Sequence, residues 1–136
     1  MPPAFDVTSL VNAIERLREG LARHRREPDD EQLRDGLIQR FEYTYELCHR
    51  FLKRFLRMTA ASPGDVDRMA FQDLIRTANQ QGLLLGNWQD WHRYRDMRAR
   101  TSHTYRVETA MRVAEAIPAF LAEAEYLRNQ LKSRLQ

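Results

Sequence analysis

The sequence has a single cysteine, Cys48, so an internal disulfide is excluded and nothing points to an oxidising compartment. No apolar run approaches the roughly 18 residues needed to cross a bilayer. The N-terminal MPPAFDVTSL lacks the basic region and apolar run of a signal peptide. Internal repeats, low-complexity tracts and long linkers are also absent. These absences predict a cytoplasmic protein with no membrane segment and with one domain, residues 1–136, which is long enough to bury a core.

Lysine is scarce as well, because 20 of the 22 basic residues are arginine. The planar guanidinium of arginine suits phosphate and carboxylate groups better than an ammonium group does, although biased genome composition produces the same excess. The most basic segment is residues 93–112, where six arginines face only Asp96 and Glu108, a net charge of +4. This local excess of positive charge is typical of a surface that binds an anionic partner.

Apolar residues recur at helical spacing along almost the whole chain, and no segment alternates as a strand does. A first helix is predicted from about Asp6 to Arg25. The second follows REPDDEQ, where Asp29 and Gln32 form a predicted capping box, and its apolar stripe continues for about 28 residues, or roughly 40 Å. The apolar positions of these two helices are Leu10, Ile14, Leu17, Leu21, Leu33, Leu37, Phe41, Tyr45, Cys48, Leu52 and Phe55.

The segment ASPGD, residues 61–65, is predicted to stop the second helix. A third helix is predicted from about Asp65 to Gln81, with Gly82 near its end. Asn87 can cap a fourth helix that contains Trp88, Trp91 and Met97. The residues of the third helix predicted to face inward are Val66, Met69, Ala70, Leu74 and Ala78.

The last helix is predicted from about Val107, and Pro118 should kink it because proline removes one backbone donor and clashes with the carbonyl of Ala114. The predicted fold class is therefore all-α, an antiparallel up-and-down four-helix bundle with an extra short helix. The inward positions of the last helix are Ala110, Val113, Ile117, Leu121, Ala124, Leu127 and Leu131.

The segment Asp96–Arg106, DMRARTSHTYR, interrupts the apolar pattern with three arginines, a histidine, a tyrosine and three hydroxyl residues. On an unbroken helix Arg98 and His103 would lie about 140° apart. They can meet at one phosphate only if the helix ends or bends, and the hydroxyl residues between them favour such a break. An arginine can stabilise a negatively charged phosphorane, and a histidine can move a proton near neutral pH. With Tyr105, this pair is a candidate site for binding or cleaving RNA without a metal; a solvated polar helix end is the alternative.

Two other patterns are weighed against structural explanations. Glu46 and His49 have the spacing of half a di-iron site, but the sequence has no second copy of the motif, so no metal and no cofactor is expected. Trp88, Trp91 and Tyr94 are spaced for base stacking. Aromatic residues at helical spacing more commonly pack in a core or against a second subunit.

Two segments resemble a known family. RDGLIQRFEYTYELCHRFLKRFL, Arg34–Leu56, and RARTSHTY, Arg98–Tyr105, are similar to the signature segments of the nucleotidyltransferase substrate-binding proteins. That family belongs to the HEPN superfamily and includes the HepT-type toxins. The resemblance runs from about Asp30 to Leu127, and the spacing between the two segments also agrees with it.

The resemblance implies an antiparallel helical bundle that forms a homodimer and binds a minimal nucleotidyltransferase encoded nearby. It also implies a metal-independent ribonuclease in which Arg98 and His103 are catalytic, and in which the partner silences the toxin by adenylylating Tyr105. Cleavage through a ribose 2′-hydroxyl needs one proton acceptor and one donor, and a two-fold interface would bring two copies of His103 together. The residues expected to support binding of RNA or nucleotide are Arg95, Arg100, Ser102 and Thr104.

One position departs from the family pattern. The residue after the arginine is usually polar in active HEPN nucleases, but here it is Ala99. The loss of this hydrogen-bonding group argues against nuclease activity and leaves binding untouched. Two functions therefore stay open: a dimeric ribonuclease toxin, and a non-catalytic subunit that binds or presents substrate to the nucleotidyltransferase.

Overall fold

Helices make up nearly all of the chain in the computed structural model, which describes residues 5–135. No strand occurs within that range. One turn of 3₁₀-helix, Thr101–His103, lies between the last two helices. The α-helices are α1 Thr8–Arg26, α2 Glu31–Thr59, α3 Pro63–Asp67, α4 Phe71–Gln80, α5 Trp88–Arg100 and α6 Val107–Arg134.

The long helices α1, α2, α5 and α6 form an antiparallel bundle, as predicted. On α2, the hydroxyl oxygen of Thr44 lies 3.4 Å from the carbonyl oxygen of Ala13. One turn earlier, Arg40 Nη1 donates to the Arg16 carbonyl at 2.7 Å. Residue numbers fall along α2 as they rise along α1, so the two helices run in opposite directions. Helices α2 and α5 also run in opposite directions. Tyr45 packs on Trp91, whereas Glu42, which comes earlier on α2, faces Arg98, which comes later on α5.

An aromatic cluster fills the centre of the bundle. Phe120 of α6 packs edge-on against Phe41 of α2 at a ring-centroid distance of 5.0 Å and against Tyr94 of α5 at 5.4 Å. Trp91 is fully buried in the same cluster. Trp91 and Tyr94 therefore lie in the core of their own chain, which confirms the interpretation favoured from their helical spacing and excludes base stacking by these two residues. Burial raises the pKa of Tyr94 to about 12.

Two predicted helix boundaries are wrong. The cap of α2 is Asp30, whose Oδ1 accepts from the Leu33 amide at 3.0 Å, and not Asp29 with Gln32. The predicted third helix is two helices, because the chain leaves helical geometry at Arg68–Ala70 and Ala70 is exposed. Tertiary contacts overrode the local apolar spacing here. Val66 is buried against the bundle, which holds α3 in place before α4 begins. Asp67 also pairs with Arg57 of α2 at 3.1 Å, an exposed ion pair that contributes little.

Local stop and start signals are confirmed at both ends of the connection between α4 and α5. Gly82 has a φ of +71°, the left-handed conformation that favours glycine, and the next amide closes on the Ala78 carbonyl at 3.0 Å. Asn87 accepts from the Asp90 amide at 3.1 Å while the Asp90 carboxylate accepts from the Asn87 amide at 3.0 Å. Helix α6 continues through Pro118, near its midpoint, without a break.

Glu123 of α6 ties this connection to the core, and nothing in the sequence pattern indicated it. The side chain is 1% exposed and accepts hydrogen bonds from the Leu85 amide at 2.7 Å, the Gly86 amide at 2.8 Å and the Trp91 indole. Burial raises the pKa of this carboxyl, and the three hydrogen bonds oppose that shift. A Cβ at Gly86 would lie 2.9 Å from the Asp90 Cβ and 3.0 Å from Glu123 Oε1, so this close approach requires glycine.

A helix that crosses a bilayer must be both long and predominantly apolar. No helix within residues 5–135 meets both conditions.

Candidate functional site

The predicted break between Arg98 and His103 is present. Helix α5 ends at Arg100, one 3₁₀ turn follows, and α6 begins at Val107. Three hydroxyls bond to backbone carbonyls three residues earlier: Thr101 donates to the Arg98 carbonyl at 2.7 Å, Ser102 to the Ala99 carbonyl at 3.3 Å and Thr104 to the Thr101 carbonyl at 3.3 Å. These bonds explain the break, because hydroxyl side chains compete with the helix for backbone groups. Ser102 and Thr104, predicted to support ligand binding, use their hydroxyls here to shape the turn.

Arg98 is held from three sides at the end of α5. Its Nε donates to Glu46 Oε1 at 2.9 Å, its Nη1 donates to Thr101 Oγ1 at 3.1 Å, and its Nη2 lies 3.7 Å from Glu42 Oε1. The side chain is 29% exposed, so part of the guanidinium faces solvent. A cation fixed in this way is positioned in advance for an anionic ligand, although the two glutamates already offset some of its charge.

His103 and Tyr105 are neighbours on the turn that follows. Their rings meet edge-on with centroids 6.1 Å apart, and the Arg106 guanidinium lies 5.8 Å from the Tyr105 ring centroid. His103 is exposed and Tyr105 is 75% exposed. The imidazole can therefore reach a proton on a bound ligand, and the phenol is open to a modifying enzyme. Among the contacts of residues 5–135, none joins Arg98 directly to His103.

The two remaining arginines predicted to support binding have separate neighbours. The Arg95 guanidinium lies over the Phe71 ring at 5.0 Å, which directs it towards α4. Arg100 pairs with Asp96 on its own helix at 3.1 Å, with both side chains nearly half exposed. Neither side chain contacts Arg98 or His103. Both arginines contribute to the positive charge on the surface of α5. The exposed ion pair between Arg100 and Asp96 is screened by solvent, so it holds Arg100 only weakly.

Glu42 and Glu46 are functional candidates that the sequence reading did not assign to this site. The sequence spacing pairs Glu46 with His49 as potential metal ligands, whereas in the structure the Glu46 carboxylate faces Arg98. His49 instead meets the Phe71 ring edge-on at 5.1 Å, and burial lowers its pKa. The sequence did contain a signal for this pair, because Glu42 and Glu46 are four residues apart and that spacing places both carboxylates on one face of α2. No group of three or more potential metal ligands lies together within the described part of the chain.

An open groove adjoins the two glutamates. It occupies about 640 Å³ between α1 and α2, and Glu42 and Glu46 form part of its wall. Arg16 and Arg50 line the same groove, with Tyr43 between the two glutamates in sequence. The surface next to Arg98 is therefore concave and carries both signs of charge, which suits a ligand with separate anionic and hydrogen-bonding parts.

Comparison with known proteins places these features in context. The family model described as "Nucleotidyltransferase substrate binding protein like" matches residues 5–133. A protein named "Probable ribonuclease HepT" from Haemophilus influenzae is 44% identical over 101 residues, which are 74% of this chain and 68% of that protein. A solved structure, HI0074 of Haemophilus influenzae, has a TM-score of 0.87 and 35% identity over 93% of this chain and 99% of that one. It is described as the fold of a substrate binding domain of a nucleotidyltransferase.

Proposed function

The chain belongs to the nucleotidyltransferase substrate binding protein like family, and on that premise we propose that it is a cytoplasmic toxin of the HepT type. In this proposal a homodimer cleaves RNA without a metal, and a minimal nucleotidyltransferase encoded nearby silences it by transferring AMP to Tyr105. The observation that carries the proposal is one turn of chain that presents an exposed imidazole beside an exposed phenol, just after an anchored guanidinium. The name of the Haemophilus influenzae relative supports the ribonuclease activity.

The chemistry assigns one role to each side chain. The ribose 2′-oxygen forms a bond to phosphorus as its proton passes to a base, and the bond from phosphorus to the 5′-oxygen breaks as that oxygen receives a proton. His103 is the proton carrier. Arg98 stabilises the crowded, negatively charged phosphorane from its fixed position against Glu46. The reaction uses only side chains of the protein and the 2′-hydroxyl of the RNA itself.

A homodimer explains how one histidine per motif can serve two proton transfers. The base and the acid must act on opposite sides of the phosphorus, and each chain contributes a single motif histidine, His103. A two-fold interface places two identical patches face to face. We therefore assign the base and the acid to the two copies of His103, with the cleft between the subunits as the RNA site.

One experiment tests both RNA cleavage by the protein and the effect on it of AMP transfer to the protein. Purified protein is expected to cut cellular RNA in EDTA, and the activity should follow the protein through size-exclusion chromatography. A second portion is first incubated with the neighbouring nucleotidyltransferase, ATP and Mg²⁺, after which EDTA is added. Its intact mass should increase by a whole number of AMP groups, and its cleavage of RNA should fall in proportion to the modified fraction.

Tyr105→Phe is the matched variant for this experiment. Because Tyr105 makes no hydrogen bond within the described chain, its phenol oxygen can be removed without loss of packing. The variant should cleave RNA but gain no mass and stay active after treatment. Cleavage that EDTA abolishes, or a Tyr105→Phe protein that still gains AMP, would contradict the proposal.

A non-catalytic substrate-binding subunit is the second candidate function, and Ala99 favours it. This residue is exposed beside Arg98 and offers no hydrogen-bonding group. Arg98 already pairs with Glu46 and lies close to Glu42, so its charge is partly compensated. In this case the protein would form a complex with the nucleotidyltransferase and acquire AMP, but RNA would stay intact at every protein concentration.

Glu46→Gln is expected to lower the rate of RNA cleavage about tenfold, because a charge-assisted hydrogen bond that orients Arg98 becomes a neutral one. Glu46 is exposed on α2, so the fold should be unaffected. The measurement is the initial rate on a short fluorogenic RNA, with Glu19→Gln on the exposed face of α1 as control. An unchanged rate for Glu46→Gln would show that this carboxylate does not position Arg98 for cleavage. A faster rate would show that it restrains Arg98.

A further inference from the structure

The groove between α1 and α2 shares a wall with the surroundings of Arg98. Glu42 and Glu46 line the groove, and the same two carboxylates face the Arg98 guanidinium. Arg16 lies towards one end, since Arg40 of α2 donates to its carbonyl. Arg50 lies towards the other end, eight residues beyond Glu42 along α2, a rise of about 12 Å.

The charges of the lining balance, which favours a neutral ligand over a phosphate. Two arginines, Arg16 and Arg50, face two glutamates, and neither arginine forms an ion pair within residues 5–135. The other polar residues of the lining are uncharged: Ser9, Asn12, Gln39 and Tyr43. A concave surface of about 640 Å³ with both donors and acceptors suits a planar heterocycle that also carries both.

Glu42 presents a carboxylate that accepts no hydrogen bond within the described chain. Its Oε1 atom lies 3.7 Å from Arg98 Nη2, beyond hydrogen-bond distance, and the side chain is 41% exposed. Glu46, in contrast, already uses its Oε1 atom to accept from Arg98 Nε at 2.9 Å. Glu42 therefore has two oxygens available for two parallel N–H groups on one edge of a ligand.

Guanine is the RNA base that matches these groups. Its N1–H and its N2 amino group are two adjacent donors on the Watson–Crick edge, whereas the other three bases have a single donor group there, next to an acceptor. Its O6 and N7 atoms are acceptors that suit the fork of an arginine, and Arg16 offers such a fork. Tyr43 is half-buried on the lining next to Glu42 and supplies an aromatic ring on which a base can stack.

We propose that this groove binds a guanine base of the RNA, next to the phosphate at Arg98. Glu42 accepts from N1 and N2, Arg16 donates to O6 and N7, and Tyr43 stacks on the ring. The position follows from Glu42, which borders both the groove and Arg98. The inference rests on the RNA cleavage proposed above and adds a base preference to it.

Binding of short RNAs to full-length His103→Ala measures this preference while cleavage is suppressed. The ligands are a fluorescein-labelled uridine hexamer and its variants with one central guanosine, adenosine or cytidine, titrated in EDTA and followed by fluorescence anisotropy. The guanosine RNA should bind about tenfold more tightly than the other three, because a bidentate contact to one base discriminates by about that factor.

Variants assign the preference to the groove. Glu42→Gln should abolish it, because the amide turns a donor towards a donor of guanine. Since Glu42 also approaches Arg98, the quantity compared is the ratio of the affinities for the guanosine and adenosine RNAs, which a general loss of RNA binding does not change. Arg16→Met should lower the same ratio. Arg26→Met, an exposed position at the end of α1 outside this groove, removes the same charge and should keep it.

Cleavage of the four RNAs by the wild type separates this inference from the ribonuclease proposal. Equal binding of the four RNAs overturns the guanine site, and cleavage by the wild type would then still support the ribonuclease. Guanine-selective binding without any cleavage has the opposite meaning, because the groove would stand and the ribonuclease would not. A wild-type preference in both Glu42→Gln and Arg16→Met would show that the base is recognised elsewhere.

Discussion

Replacement of His103 by alanine is expected to reduce RNA cleavage by about 10²- to 10⁴-fold, the usual contribution of general acid–base catalysis. The loss should come from the slower proton transfer and not from unfolding of the protein. His103 is exposed on the 3₁₀ turn, and its ring has one aromatic neighbour, Tyr105. The midpoint of thermal unfolding should therefore stay at the wild-type value while the initial rate of cleavage in EDTA falls.

His92→Ala is the matched control for this prediction. His92 is also exposed and also has an aromatic neighbour, Trp88, with ring centroids 5.4 Å apart, but it lies on the first half of α5. Its replacement should change the rate by less than about twofold, since no proton transfer is assigned to it. A similar loss in both variants, or no loss in His103→Ala, would remove His103 from the proposed reaction.

Mixtures of the wild type and His103→Ala test the shared site of the homodimer in the same assay. If each site needs His103 from both chains, mixed dimers are impaired, and the activity per wild-type chain falls as variant is added. If one chain is sufficient, the activity per wild-type chain stays constant at every ratio. The second result would leave the ribonuclease proposal intact and reject the assignment of base and acid to two subunits.

Glu123→Ala should lower the free energy of unfolding by about 3–5 kcal/mol, because it leaves buried donors without an acceptor. The carboxylate of Glu123 serves the amides of Leu85 and Gly86 and the indole of Trp91. All three donors belong to the connection between α4 and α5 or to the first turn of α5. Removal of their common acceptor therefore loosens the start of the helix whose other end carries Arg98.

Urea denaturation measures this effect, with Glu115→Ala as the control on the same helix. Glu115 is exposed, so its replacement should change the free energy of unfolding by less than about 0.5 kcal/mol. Glu123→Gln should fall between the two, since its amide keeps one acceptor oxygen but turns a donor towards another donor. A Glu123→Ala protein as stable as the wild type would mean that the three donors find other acceptors or water.

Several elements could be predicted from the sequence because their causes are local. The apolar positions of α1 and α6 predicted to face inward are all buried, since a 3.6-residue period is a property of each helix alone. Asn87 and Gly82 act on backbone within a few residues of themselves, and both work as expected. The hydroxyl residues after Arg100 end α5 for the same reason.

Other features were not decided by the local pattern. Two adjacent acids, Asp29 and Asp30, both fitted the start of α2, and it is the carboxylate of Asp30 that accepts from the Leu33 amide. The break at Arg68–Ala70 follows from contacts of α3 with α2, which the apolar spacing of residues 65–81 does not contain.

The sequence by itself determined the four long helices, the turn that carries His103 and Tyr105, and the positive charge around them, because each arises from residues close together in the chain. Only the tertiary structure decided that Glu46, 52 residues from Arg98, orients its guanidinium. It also decided that Glu123 lies in the core. The physical reason is that these arrangements come from the packing of separate helices, and no local pattern specifies which faces of two distant helices meet.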